Sequence, residues 1–132
     1  MKNAKKYTRG MVFGVFDIFH PGHIYFLTEA STRCEHLTVV VARSEVVELL
    51  KKRVPRNLLE DRIEKIRAHN SNYNVIEGDE TLGEWAVLRD NPSDIIFLGY
   101  DQQGIARELD RIGVEYEFIE SHHPDKYKSS LL

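Results

Sequence analysis

Cysteine is almost missing from this chain: Cys34 is the single one. No internal disulfide can form, no CxxC pair offers a zinc or dithiol site, and a reducing compartment suits the composition. Long apolar runs are missing too, none approaching the ~20 residues that cross a bilayer. The opening Met1-Lys-Asn-Ala-Lys-Lys leads into no signal-like hydrophobic segment. Positive charge is not in excess, since 18 Lys and Arg stand against 21 Asp and Glu for a net −3. That balance argues against a surface built for nucleic acid. A Walker P-loop, a GxGxxG fingerprint and an HExxH pair are all absent, which removes P-loop phosphoryl transfer and the common zinc enzymes. What is left is one globular domain over residues 1–132, cytoplasmic, with neither membrane nor nucleic acid as partner.

Residues 1–9, basic and polar, read as a frayed tail. Apolar runs then alternate with helical patterns. Strands are expected over Gly10–Val15, Leu37–Ala42, Tyr73–Glu77, Ile95–Gly99 and Val114–Ile119. Between them helices are expected over Pro21–Ser31, Leu58–His69, Thr81–Arg89 and Gln102–Ile112, with Ser44–Lys52 helical or irregular. Asn57, with Glu60 three residues on, reads as the N-cap of the second of these helices. Strand–helix alternation gives an α/β fold of three layers: a doubly wound, parallel, five-stranded, Rossmann-like sheet. Ligands in such sheets lie outside the carboxyl ends of the strands, where the strand order reverses.

One stretch carries the chemistry. Gly14-Val-Phe-Asp-Ile-Phe-His-Pro-Gly-His23 joins the first strand to the first helix. Pro21 fits the helix's opening turn, where its missing N–H costs nothing. Free N–H groups at a helix start attract anions. His20 and His23, spaced i, i+3, would reach the same anion from the side, and Gly22 lets the backbone approach it. This is hardware for phosphates.

The stretch resembles the signature of the nucleotidyltransferase superfamily that includes the cytidylyltransferases, with the HxGH box at His20, Gly22 and His23 and the flanking Phe16-Asp17. The resemblance implies strand order 3-2-1-4-5 and attack by an acceptor phosphate on the α-phosphorus of a nucleoside triphosphate, with pyrophosphate leaving. His20 and His23 would contact the triphosphate and stabilise the pentacoordinate transition state, as positioned donors do. Val15 and Phe16 would offer backbone contacts to the nucleotide, beside Pro21 and Gly22. Asp17 would orient a histidine or a loop N–H, or cap the turn. The family places a phosphate-binding lysine in the stretch Lys51-Lys52-Arg53; Lys52 is taken as the catalytic one, although no feature separates it from Lys51, and a solvated basic turn is the plainer reading. Arg62 is expected to be structural, paired with an acid such as Asp79.

Asp101, in the Gly99-Tyr-Asp-Gln loop, would bind ribose or base, or serve as an N-cap. Ser129 and Ser130 resemble the family's second, phosphate-binding signature; the chain stops at Leu132, before the helix that usually follows, which leaves that site short. His122 and His123 point apart in an extended chain and are not expected to bind a metal. Mg²⁺ is expected to arrive with the triphosphate, held by its oxygens and water. Phe13, Tyr25, Phe26 and Phe97 are read as core.

Within the superfamily, the short format, the LGYDQ loop and the Lys-Ser-Ser end look most like the archaeal FAD synthases, which move AMP from ATP to FMN. Glycerol-3-phosphate cytidylyltransferases and sugar-phosphate adenylyltransferases are the alternatives, and ATP is favoured over CTP. A homodimer is implied by the resemblance. A nucleotide-binding module without turnover is the rival from another class, against which paired donors at the scission point speak.

Overall fold

The central strands are apolar at consecutive positions, Val39–Val41 and Ile95–Leu98 above all, so they have to be covered on both faces, and the chain folds accordingly. The computed structural model describes residues 5–120. Its order is β1 (Tyr7–Gly14), α1 (Pro21–Thr32), β2 (Cys34–Val41), α2 (Ser44–Lys51), α3 (Leu59–His69), β3 (Asn74–Glu77), α4 (Ala86–Asp90), β4 (Ile95–Gly99), α5 (Gln103–Ile112) and β5 (Tyr116–Ile119). The five strands form one sheet in the order β3-β2-β1-β4-β5, and every neighbouring pair is parallel. The expected fold class and strand order are both present.

Alternate residues sort the core into two layers. Val12, Val39, Val41, Ile95 and Phe97 face one side and pack with Leu27 and Ala30 of α1 and Ile63 and Ile66 of α3. Ile96 and Leu98 face the other side with Ala106 and Leu109 of α5, and Met11 and Val40 join Val87 of α4 there. Cys34, 2% exposed, opens β2 inside the first layer.

Several boundaries differ from the sequence reading for identifiable reasons. β1 starts at Tyr7, within the expected tail, because the Tyr7 ring packs edge-on against Phe97 at 6.0 Å and its hydroxyl bonds Glu117. Lys6 and Arg33 also reach Glu117, at 2.9 and 3.3 Å. Hydrogen bonding by Tyr7 outweighs the opposing effect of burial and, with Lys6 and Arg33, holds the Glu117 carboxyl below its usual range. The helix expected over Thr81–Arg89 shrinks to α4, since Gly83 and Trp85 adopt left-handed backbone at φ +88° and +55°. Asn57 does not cap α3; Leu58 holds that position with no side-chain cap, and the Asn57 amide is engaged elsewhere.

Candidate active site

The first strand is central, so its end meets the ends of β2 and β4 at the reversal of strand order. A cleft of about 330 Å³ opens there, lined by Phe13–Phe16, His20, Gly22, His23, Tyr25, Phe26, the 99–102 loop, Ile119 and Glu120. It gathers six of the expected site residues: Val15, Phe16, His20, Gly22, His23 and Asp101. Asp17, Pro21 and Lys52 do not line it. Ser129, Ser130, His122 and His123 lie outside the described residues.

The start of α1 differs from a bare helix end. His20 is the N-cap, and its Nδ1 accepts from Gly22 N–H at 3.1 Å. His23 returns the arrangement, with Nδ1 accepting from His20 N–H at 3.4 Å. His23 and Ile24 N–H both bond the His20 carbonyl. The N–H groups expected to be free are therefore partnered inside the loop. Each ring uses Nδ1 as an acceptor, and in a neutral imidazole so engaged the ring N–H is at Nε2. The rings stack with centroids 3.8 Å apart and planes 22° off parallel. Burial, and then repulsion from His20, push the His23 imidazole down to about 4, against a smaller opposite pull from the Ile18 carbonyl. His23 is thus neutral at pH 7, with its one N–H turned to the Ile18 carbonyl.

Phe16 holds the loop's bend. Its backbone is left-handed at φ +52°, a conformation that costs a non-glycine residue about 1–2 kcal/mol. Its ring is buried and lies edge-on to His23 at 5.2 Å. That ring explains Gly14, where a Cβ would stand 2.6 Å from it.

Asp17 and Arg62 fix the loop from below. Of the roles open to Asp17, the structure shows the binding of loop N–H groups: its carboxylate accepts from Arg56 and Asn57 N–H at 2.9 and 3.0 Å. The Asn57 amide bonds back to the Asp17 carbonyl. Burial alone would raise the Asp17 pKa; these N–H groups, with the Arg62 charge, outweigh it and lower the pKa. Arg62 is structural as expected, and its partners are not acids. Buried at 1% exposure, it donates to the carbonyls of Val15 (3.0 Å), Ala42 (2.7 Å) and Asn57 (3.1 Å) and to Ser44 Oγ (2.9 Å). Asp79 instead caps α4 through Ala86 and Val87 N–H at 2.8 and 3.0 Å. The fork thus ties the ends of β1 and β2 together, a use of a rigid guanidinium that sequence spacing does not reveal.

On the far wall, Asp101 is exposed and lines the cleft. It is not the N-cap of α5; Gln102 holds that position. The aromatics divide: Phe97 is core at 0% exposed, Phe13 and Phe26 are half-buried and pack against the core while also lining the cleft, and Tyr25, read as core from sequence, is a half-buried wall of the cleft.

A second cleft, of about 230 Å³, lies across Gly14 and Val15 from the first. Its lining includes Val40, Val46, Leu50, Leu82, Trp85 and Ile105, with Lys51, Arg43 and Asp79 among the polar groups. The basic segment thus contributes Lys51 to this cleft, while Lys52, left-handed at φ +60°, ends α2.

A histidine-lined cleft at the switch point of a parallel sheet is where nucleotide-handling α/β proteins bind their ligands. Comparison with known proteins narrows the class. Residues 11–131 match the family model described as cytidylyltransferase-like. An FAD synthase of Thermococcus kodakarensis is 36% identical over 98% of this chain and 88% of its own. One of Thermococcus onnurineus is 35% identical over 89% and 81%. The crystal structure of a lipopolysaccharide core biosynthesis protein from Thermoplasma volcanium superposes with a TM-score of 0.71, at 28% identity, over 87% of this chain and 96% of that one. The chain belongs to the cytidylyltransferase-like family and is a nucleotidyltransferase.

Proposed function

We propose that this enzyme transfers the adenylyl group of ATP to FMN, giving FAD and pyrophosphate, as one domain. The observation that carries the acceptor is the second cleft. A histidine-lined cleft of mixed character for a nucleotide and a strongly apolar one for a planar ring meet at Gly14-Val15. A glycerol or sugar phosphate would leave most of that apolar lining, Leu50 and Leu82 among it, facing water. The FAD synthase names of the relatives support the same acceptor.

In the transfer, an FMN phosphate oxygen attacks the α-phosphorus of ATP. The new P–O bond forms as the bond to the bridging oxygen breaks, and pyrophosphate leaves with that electron pair. Ring N–H groups of His20 and, on release from the Ile18 carbonyl, of His23 stabilise charge on the phosphate oxygens. To reach the N–H groups of the helix start, the triphosphate has to displace the histidine Nδ1 atoms that hold them. Lys52, with Lys51 beside it, supplies mobile positive charge to the phosphates. Asp101 takes the ribose or the base, and Ser129 and Ser130 the outer phosphates.

Mg²⁺ completes the reading. Asp101 is the exposed carboxylate of the 99–102 loop, with Glu120 at the far end of the cleft. Among the described residues no group of three or more His, Cys, Asp or Glu could hold a metal. That donor set suits an ion delivered by the triphosphate, held mainly by phosphate oxygens and water. Among the described residues no helix is long and apolar enough to cross a membrane. The reading places the enzyme in the cytoplasm as a homodimer.

The test is pyrophosphate release by the purified protein with Mg²⁺, crossing ATP and CTP with FMN, glycerol 3-phosphate and a sugar 1-phosphate. ATP with FMN is expected to release pyrophosphate as FAD appears, and Trp85→Ala is expected to raise the KM for FMN about tenfold, the worth of one aromatic contact, at unchanged KM for ATP. Release only with CTP and glycerol 3-phosphate, or only with the sugar phosphate, would overturn the flavin assignment. Binding of ATP without turnover on any acceptor would favour a nucleotide-binding module.

A further inference from the structure

The pairing of β1 with β4 ends at Val12 and Phe97. Both strands continue beyond that point. β1 runs on along β2 to the pair Gly14–Val41, and β4 runs on along β5 to the pair Gly99–Ile119. Their last residues are each paired only with the outer neighbour, and the histidine cleft occupies the gap between them. Backbone polar groups at such a gap need other partners.

One side chain spans it. Gln102 Oε1 accepts from Gly99 N–H at 2.9 Å, and its Nε2 donates to the Phe13 carbonyl at 2.9 Å. The orientation of the amide is fixed from both ends, since the N–H requires its oxygen and the carbonyl its nitrogen. Its backbone N–H closes the turn onto the Gly99 carbonyl at 3.0 Å. Gln102 also occupies the N-cap of α5, yet its side chain makes no capping bond there. The amide is committed to the sheet and not to the helix.

We propose that Gln102 is a positioning residue for the nucleotide cleft: its amide is a side-chain rung that sets the spacing between the ends of β1 and β4. One wall of the cleft is carried by β1, which leads into Val15, Phe16 and the histidines. The other is carried by β4, which leads into Asp101. Gly99 makes that wall tight, because a Cβ there would stand 3.0 Å from Asp101 Oδ1. Gln102 touches no reacting atom; it decides how far apart the groups that do so stand. This inference rests on the reading of the cleft as the ATP site.

The test uses the full chain and two variants. Gln102→Met keeps the length and removes both bonds. Gln102→Glu keeps the acceptor for Gly99 and loses the donor to Phe13 while ionised, but regains a donor on protonation. For Gln102→Met, ATP affinity by calorimetry is expected to fall about tenfold, the worth of a net hydrogen bond or two. In turnover, the KM for ATP rises while kcat stays within about twofold, the pattern of lost uniform binding. For Gln102→Glu, the ratio of its ATP affinity to that of the wild type is expected to rise as pH falls from 8 towards 5. A residue that merely started α5 would lower Tm without a pH-dependent ratio. Unchanged ATP affinity in Gln102→Met, or a ratio flat with pH, overturns the proposal.

Failure of the ATP reading is distinguishable. If the wild type itself does not bind ATP, amide hydrogen exchange on the ligand-free protein decides the matter. Faster exchange at Gly99 and across residues 13–15 in Gln102→Met upholds the rung, and unchanged exchange refutes it.

Discussion

The two sides of β1 end differently. On the β2 side the ladder is complete to Gly14–Val41, the Gly14 carbonyl still takes Ala42 N–H at 2.9 Å, and the buried Arg62 fork joins the Val15 and Ala42 carbonyls just beyond. On the β4 side pairing stops at Val12, and the neutral amide of Gln102 takes over. A cation with four acceptors makes the first seam stiff. A single amide with two bonds spans the second one. The histidine cleft opens at this second seam, and the apolar cleft borders the stiff one. In an open parallel sheet the ligand site is thus a place where strand pairing has been withdrawn, held at a set width by side chains.

Variants can break this comparison in order of effect. His20→Ala leaves both seams intact and removes a donor; kcat is expected to fall by about 10²–10³, as for other pre-placed donors. ATP binding remains measurable. A loss below about tenfold in single-turnover assays would remove His20 from the chemistry. Arg62→Met unties the stiff seam and leaves buried carbonyls without a donor. It is expected to cost about 3 kcal/mol in denaturant unfolding, well above Gln102→Met in the same assay. Equal costs would erase the distinction between the seams.

The remaining effect is set by pH. The His23 pKa is about 4 in the fold against ~6.5 in an unfolded chain. The unfolded state therefore binds more protons between those values, so stability rises with pH through that window and is lost as pH falls from about 6.5 towards 4. Unfolding midpoints between pH 4 and 7 should show this slope, and His23→Gln should flatten it. An identical slope in that variant would mean that other groups set it.

The sheet was legible because Val39–Val41 and Ile95–Leu98 leave no polar face, and the histidine box because its residue types and spacing are specific. The errors share one cause: a residue's local role was displaced by a distant partner. Asn57 has the chemistry of an N-cap but is held by Asp17. Asp79 was paired with Arg62 by charge, whereas both satisfy backbone groups. Gln102 read as an ordinary helix start, because nothing in its neighbours shows that β1 and β4 part there.

The order β3-β2-β1-β4-β5 also has a consequence during synthesis. The strand made first is the middle of the finished sheet. β2 follows soon and covers one of its edges, but the other stays open until β4 has left the ribosome. Throughout that interval Gly10, Met11 and Val12 present an unpaired strand edge, the template on which nascent chains associate wrongly. The same β4 supplies the far wall of the nucleotide cleft, so the chain remains exposed until the moment it gains the ability to bind.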